Sequence, residues 1–161
     1  MQTVWRIVTR RFAEEAYNGE GARRFGGRWN RIGQSVVYTA QSRSLALLEM
    51  LVQDNALRAH YLLIPATIPD DLRKQTITLA ELQKINPGWR NEDARETLKN
   101  LGSHWLNEAS SCVLEVPSAV IPAETNLLLN PVHPDFIRIK IGKPESLESD
   151  LRLLRNASTR K

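Results

Sequence analysis

The chain has 161 residues, 42% of them hydrophobic and 25% charged, with a formal net charge of +4. Those figures describe one globular domain and exclude a collagenous, disordered or membrane-spanning chain. A single cysteine, Cys112, excludes an internal disulfide and a cysteine-based zinc site, and with three scattered histidines no metal is expected. The start, MQTVWRIVTRRF, has no long apolar core, so no signal peptide is expected and the setting is read as cytoplasmic.

In chain order, VWRIV (4–8) reads as a strand, and FAEEAYNGE (12–20) as a weak helix ending at Gly19. GARRFGGRWNRIG (21–33) reads as a loop, and SVVYTA (35–40) as a second strand. SRSLALLEMLVQD then carries Ser42 or Ser44 as an N-cap and a helical run. Positions 45–52 are apolar except Glu49, which predicts a helix buried all round. HYLLIPATIP (60–69) reads as a buried strand. TLAELQ reads as a short helix before the turn Asn86-Pro87-Gly88.

NEDARETLKNLGSHWLNE is amphipathic, with Leu98, Leu101 and Trp105 on one side and an irregularity expected at Gly102. SCVLEVPSAVIP (111–122) is strand-like and punctuated by Pro117, NLLLNPVHPD reads as a loop, and FIRIKI (136–141) as a half-exposed strand. A tail of about the last dozen residues ends in NASTRK. Without regular β-α-β alternation, these elements predict a single α+β domain over 1–161 with a largely antiparallel sheet.

The chemistry concentrates early. Arg6, Arg10, Arg11, Arg23, Arg24, Arg28 and Arg31 precede residue 32, against Glu14, Glu15 and Glu20. Guanidinium forks on glycine-rich backbone suit phosphate, although a solvated basic face and simple glycine turns read equally from these residues. Three nucleotide motifs fail. After Gly21 and Gly26 come Gly27 and Arg28 where a P-loop needs Lys and Ser or Thr; Arg24 stands where a dinucleotide fingerprint needs its third glycine; and the kinase set is absent.

Glu49 must find a cation, be protonated, face a polar cleft, or lie at the solvent edge of a half-buried helix. Arg28 or its neighbours would keep it ionised in a cleft. Ser118 has no nucleophile motif around it and reads locally as a turn serine; Tyr38 reads locally as a core or cross-strand aromatic.

Together, WRI, GARRFGGRWN, IGQSVVYTA, LALLEMLV and VPSAVIPAETNLLLNPVHPDF, in that order over about residues 4–141, resemble the RES domain family, the toxins of Res–Xre toxin–antitoxin systems. The resemblance places the family's arginine on Arg28, its tyrosine on Tyr38, its glutamate on Glu49 and its serine on Ser118 as catalytic residues. It implies an ADP-ribosyltransferase-like split, mainly antiparallel β core with flanking helices. It implies NAD+ as substrate, contacted by Arg6, Gly27, Arg28, Trp29, Tyr38 and Asn126, and growth arrest by NAD+ depletion. Tyr38 would offer a stacking face and a hydroxyl, and Ser118 a donor to the ribose or amide.

The acceptor stays open between water, phosphate and a protein side chain. Leu47 stands where mono-ADP-ribosylating toxins often carry a second acid, which favours a small acceptor. Alternatives are a mono-ADP-ribosyltransferase and a basic RNA-binding protein or ribonuclease, the latter disfavoured by 6% aromatic content and no binding motif. The implied partners are an Xre-family helix-turn-helix antitoxin and a second toxin copy within a hetero-oligomer. DNA would be reached only through the antitoxin, and no membrane is involved.

Overall fold

The computed structural model describes residues 1–53 and 60–148. Four α-helices and eight strands are found among them: β1 (Gln2–Thr9), α1 (Glu20–Phe25), β2 (Val37–Ala40), α2 (Arg43–Gln53), β3 (Tyr61–Ile68), β4 (Lys74–Thr76), α3 (Leu79–Ile85), α4 (Arg95–Glu108), β5 (Val113–Pro117), β6 (Thr125–Leu129), β7 (Lys140–Ile141) and β8 (Glu145–Ser146). No helix among the described residues is long and apolar enough to cross a membrane.

The strands form one sheet in the order β4-β5-β6-β2-β1-β3-β7, with β8 also on β3. Every pairing is antiparallel except β4 with β5. This is the expected α+β class. The sheet is split at its middle: β1 pairs with β3 over eight residues, but with β2 at Trp5↔Ala40 alone. Where that ladder stops, a side chain takes over, as Arg6 Nη1 donates to the Tyr38 carbonyl at 3.0 Å.

Both faces of the central strands are covered. Along β6, Leu127 and Leu129 join a core with Val4, Val37 and Val113, while Leu128 joins another with Trp29, Leu114 and Trp105. A strand buried on both faces reads as a continuous apolar run, not an alternation. For that reason NLLLN, expected to be loop, is instead the strand β6 in the centre of the sheet.

Other expectations also change. Residues 10–12 form a 3₁₀ turn and 13–19, read as part of a weak helix over 12–20, hold no α-helix; the first α-helix is Glu20–Phe25, nearly all of it within the stretch 21–33 read as loop. Glu20 holds that helix with charge-assisted bonds to Arg23 and Arg24. The first half of FIRIKI belongs to a 3₁₀ segment, Pro134–Arg138, which Pro134 opens and His133 caps; only Lys140–Ile141 is strand. The strand β4 had no sequence signal, since KQT gains its ladder only from β5.

Helix α2 starts as expected on Ser42, whose Oγ accepts from the Leu45 amide at 3.1 Å. It is not buried all round: Leu45 and Ala46 face the core, but Leu48 and Val52 are exposed. Helix α4 runs through Gly102 without a break. The glycine is there because the Trp29 carbonyl lies directly against it and leaves no room for a Cβ.

Candidate active site

The split of the sheet, helix α2 and the glycine–arginine loop enclose a cleft of about 850 Å³, counting space open to solvent. Arg6, Gly27, Arg28, Trp29, Tyr38, Glu49 and Asn126, distant in sequence, all line it. A second cavity of about 620 Å³, bordered by Trp5, Ala40 and Met50, shares Arg6, Tyr38, Glu49, Gln53 and Asn126 with the first. Glu49 therefore stands where two cavities join.

Helix α2 presents Glu49 because Leu45 and Ala46, on its inner face, anchor the helix over β1 and β2, while the next turn overhangs the split. Its carboxylate is clamped: Oε1 accepts from Ser118 Oγ at 2.7 Å and from Asn126 Nδ2 at 2.5 Å. Asn126 is set on β6 opposite Ala40, which brings it beside the split. With its amide nitrogen given to Glu49, Asn126 Oδ1 is left buried without a hydrogen-bond partner.

Ser118 makes the turn bonds that its local sequence suggests, and one more to Glu49. It is fully buried, just beyond β5, and its hydroxyl accepts from the Val120 and Ile121 amides at 3.0 Å each while donating to Glu49. Its neighbours Pro117 and Ala119 line the cleft, but Ser118 does not. The one hydroxyl proton is given to Glu49 and the oxygen is taken by two amides, so the group is committed within the protein.

Tyr38 is bound differently from the expectation. Its hydroxyl donates to Asn30 Oδ1 at 2.7 Å and accepts from the Trp29 amide at 3.0 Å. Burial pushes the phenol above its usual range, so it stays neutral. Trp29 is 3% exposed and packs in the core around Leu98 and Trp105, so it offers no open indole face to a ligand.

Gly27 is tied to this network by contact. A Cβ there would fall 2.6 Å from the Tyr38 hydroxyl and 2.7 Å from Asn30 Oδ1. Asn30 and Gln53 were not singled out by the sequence; Gln53 lies one helical turn beyond Glu49, and that spacing was the available signal.

The cleft holds two guanidinium groups with no ion pair within 4 Å among the described residues. Arg6 is lowered from the usual arginine value by burial, and its Nε is buried without a partner. Arg28 is lowered first by burial and then by Arg95, while Glu49 pulls the other way; among the described residues its one side-chain hydrogen bond is a long one, 3.4 Å, to the Arg90 carbonyl. The Arg6 guanidinium, whose Nε is buried, is costly to hold without a carboxylate, and the cost is relieved when an anion enters; Arg28 is half-buried and reaches the same cleft. No group of three or more metal-ligating side chains occurs among the described residues. The arrangement can hold an anionic ligand on Arg6 and Arg28 and set a fixed carboxylate against an adjoining group.

Comparison with known proteins agrees with the resemblance. Residues 3–151 match the RES domain family. A protein named Prs ADP-ribosylating toxin, from Sphingobium sp., is 38% identical over 159 residues, covering 96% of this chain and 98% of its own length. A Toxin Res from Yersinia enterocolitica is 41% identical over 135 residues, covering 83% of this chain and 86% of its own. The crystal structure of the M. tuberculosis MbcT-MbcA toxin-antitoxin complex contains a chain of like fold, with a TM-score of 0.76 at 21% identity, over 91% of this chain and 84% of that one. The split sheet, the order of its blocks and the match over nearly the whole length lead to one assignment: the chain belongs to the RES domain family.

Proposed function

We propose that this RES domain is the toxin of a toxin–antitoxin pair, and that it cleaves the nicotinamide–ribose bond of NAD+ in the cytoplasm and so arrests growth. The observation that carries the reading is Glu49, clamped by Ser118 and Asn126 in a cleft whose two guanidinium groups, Arg6 and Arg28, have no ion-pair partner among the described residues. Arg6 and Arg28 would take the diphosphate. With the diphosphate on the loop side, the nicotinamide falls in the adjoining cavity beside Trp5 and Met50.

In the reaction, the C1′–N1 bond breaks and its electron pair leaves with nicotinamide, which becomes neutral. The ribose develops oxocarbenium character, and the fixed Glu49 carboxylate stabilises it. Water then adds at C1′ and releases a proton to solvent, or phosphate adds through an anionic oxygen without losing one. Four catalytic residues were expected. In this reading Glu49 and Arg28 act on substrate, while Ser118 and the Tyr38 hydroxyl act by positioning.

A second reading has one observation behind it: the Sphingobium relative is named for ADP-ribosylation, which would make a protein side chain the acceptor. Leu47, two residues before Glu49, provides no second acid and favours the small acceptor. The partner we infer is an Xre-family antitoxin, with two toxin copies in the complex.

The test is purified protein with NAD+, with and without phosphate and with a cell extract. Nicotinamide release with free ADP-ribose, or its 1-phosphate, supports the first reading. Label transferred to protein supports the second, and no nicotinamide release under any condition rejects both.

A further inference from the structure

The structure assigns to Asn30 a positioning role: it folds the glycine–arginine loop onto the Tyr38 hydroxyl and so aims Arg28 into the cleft. Residues 26–35 form no helix and no regular strand, so their backbone polar groups need other partners. Asn30 supplies them from the inside. It is fully buried, and the two N–H groups of its Nδ2 are shared among the carbonyls of Ala22 at 2.9 Å and of Arg31 and Gln34 at 3.0 Å each. One side-chain amide thus joins helix α1 to both later parts of the loop.

Its other end is as specific. Asn30 Oδ1 accepts the Tyr38 hydroxyl, which in turn accepts the Trp29 amide. The Gly27 amide donates to the Asn30 carbonyl at 3.1 Å, and Gly27 packs against Oδ1 and the Tyr38 oxygen with no room for a side chain. Arg28 therefore has a fixed residue on each side. Among the described residues its own guanidinium is held by a single long hydrogen bond, 3.4 Å, to the Arg90 carbonyl. The direction in which Arg28 points is set by its neighbours, and they are set by Asn30 and Tyr38.

Aspartate at position 30 has the same shape but no donor. Three carbonyls would then face a carboxylate, and the loop would have to open. Phenylalanine at 38 keeps the ring and removes only the hydroxyl. The inference rests on the NAD+ reading for the consequence in catalysis, but not for the structural link.

Two measurements on the full-length protein separate these. The first is hydrogen exchange at the Trp29 and Gly27 amides in wild type, Asn30→Asp and Tyr38→Phe. The second is a double-mutant cycle in kcat/KM for NAD+ between Asn30→Asp and Arg28→Ala, with Tyr38→Phe in place of Asn30→Asp as the milder variant. We expect protection at Trp29 to fall at least about tenfold in both variants. Each single change should lower kcat/KM by about 10²-fold, mostly through KM, and adding it to Arg28→Ala should cost less than about threefold more. Unchanged exchange at Trp29, or losses that add in full, overturns the role. A wild type that binds and cleaves no NAD+ rejects the function instead. The cycle is then read in growth arrest: each single variant must relieve it for the role to stand, and arrest by Asn30→Asp as strong as wild type overturns it.

Discussion

Two oxygen-bearing side chains in the site can be told apart at the level of single residues. Glu49→Gln keeps an acceptor for Ser118 and Asn126 and removes only the charge. It should fold as wild type and lose about 10²–10³-fold in rate, as when one well-placed electrostatic contact is removed. Ser118→Ala strips the Val120 and Ile121 amides of their acceptor, which costs about 1–3 kcal/mol of stability. Its rate should drop only about tenfold, since Asn126 still holds Glu49. Melting curves and kcat/KM for the pair check this, and a Ser118→Ala as inactive as Glu49→Gln would make the serine a reacting group. Cys112 gives a pH-dependent control on the fold. Burial raises its thiol to about 11. The folded value lies above the unfolded one, so its contribution to stability is whole below about pH 9 and lost as pH rises towards the folded value. The native protein should resist alkylation at pH 8 and react once denatured, as read by mass spectrometry.

Among the elements, the contact that binds α4 to the loop has the narrowest tolerance. Gly102→Ala would drive a methyl group into the Trp29 carbonyl, a backbone group that cannot swing aside. The helix or the loop must shift, at about 1–3 kcal/mol, and activity should fall because Trp29 adjoins Arg28. Leu101→Ala, one position away, is not equivalent: it thins the packing around Trp105 and leaves the backbone contact at Gly102 in place. A thermal melt and an NAD+ assay of Gly102→Ala decide it, and wild-type values for both would refute it. This contact also shows which parts of the protein were legible beforehand. The helix around Glu49 was readable, because its cap and its apolar run are local, and a carboxylate in such a run needs a reason. What Gly102 serves was not readable, since Trp29 is brought to it only by folding. Ser118 and Glu49 are 69 residues apart, and no local pattern at PSA shows that the serine's partner is a carboxylate on another element. Strand β6 was missed through its very burial, which erases the alternation by which strands are recognised. The alternation in FIRIKI misled in the opposite sense, because Pro134 and the His133 cap favour a tight turn over a ladder.

For the whole molecule, charge and the open cleft bear on how the activity is restrained. The chain carries a net charge of +4, and Arg6 and Arg28 face the cleft without carboxylate partners among the described residues. On the proposed reading, a partner that silences the toxin by occupying this cleft must satisfy those guanidinium groups as an anionic substrate would. An acidic side chain or a chain-terminal carboxylate does so through the same forked hydrogen bonds. Such a complex should exclude NAD+ competitively. Its association should weaken with salt, since charges at the cleft rim are screened over about 10 Å at 0.1 M ionic strength. Arg28→Ala should then lose affinity for the partner together with activity, whereas Glu49→Gln should lose activity and bind the partner at least as well, having one negative charge fewer to repel an acidic plug. Titration calorimetry of both variants against the co-expressed antitoxin, at two salt concentrations, measures this. Equal affinity for wild type and Arg28→Ala, or a bound complex that still turns over NAD+ at the free rate, would place the antitoxin elsewhere on the surface.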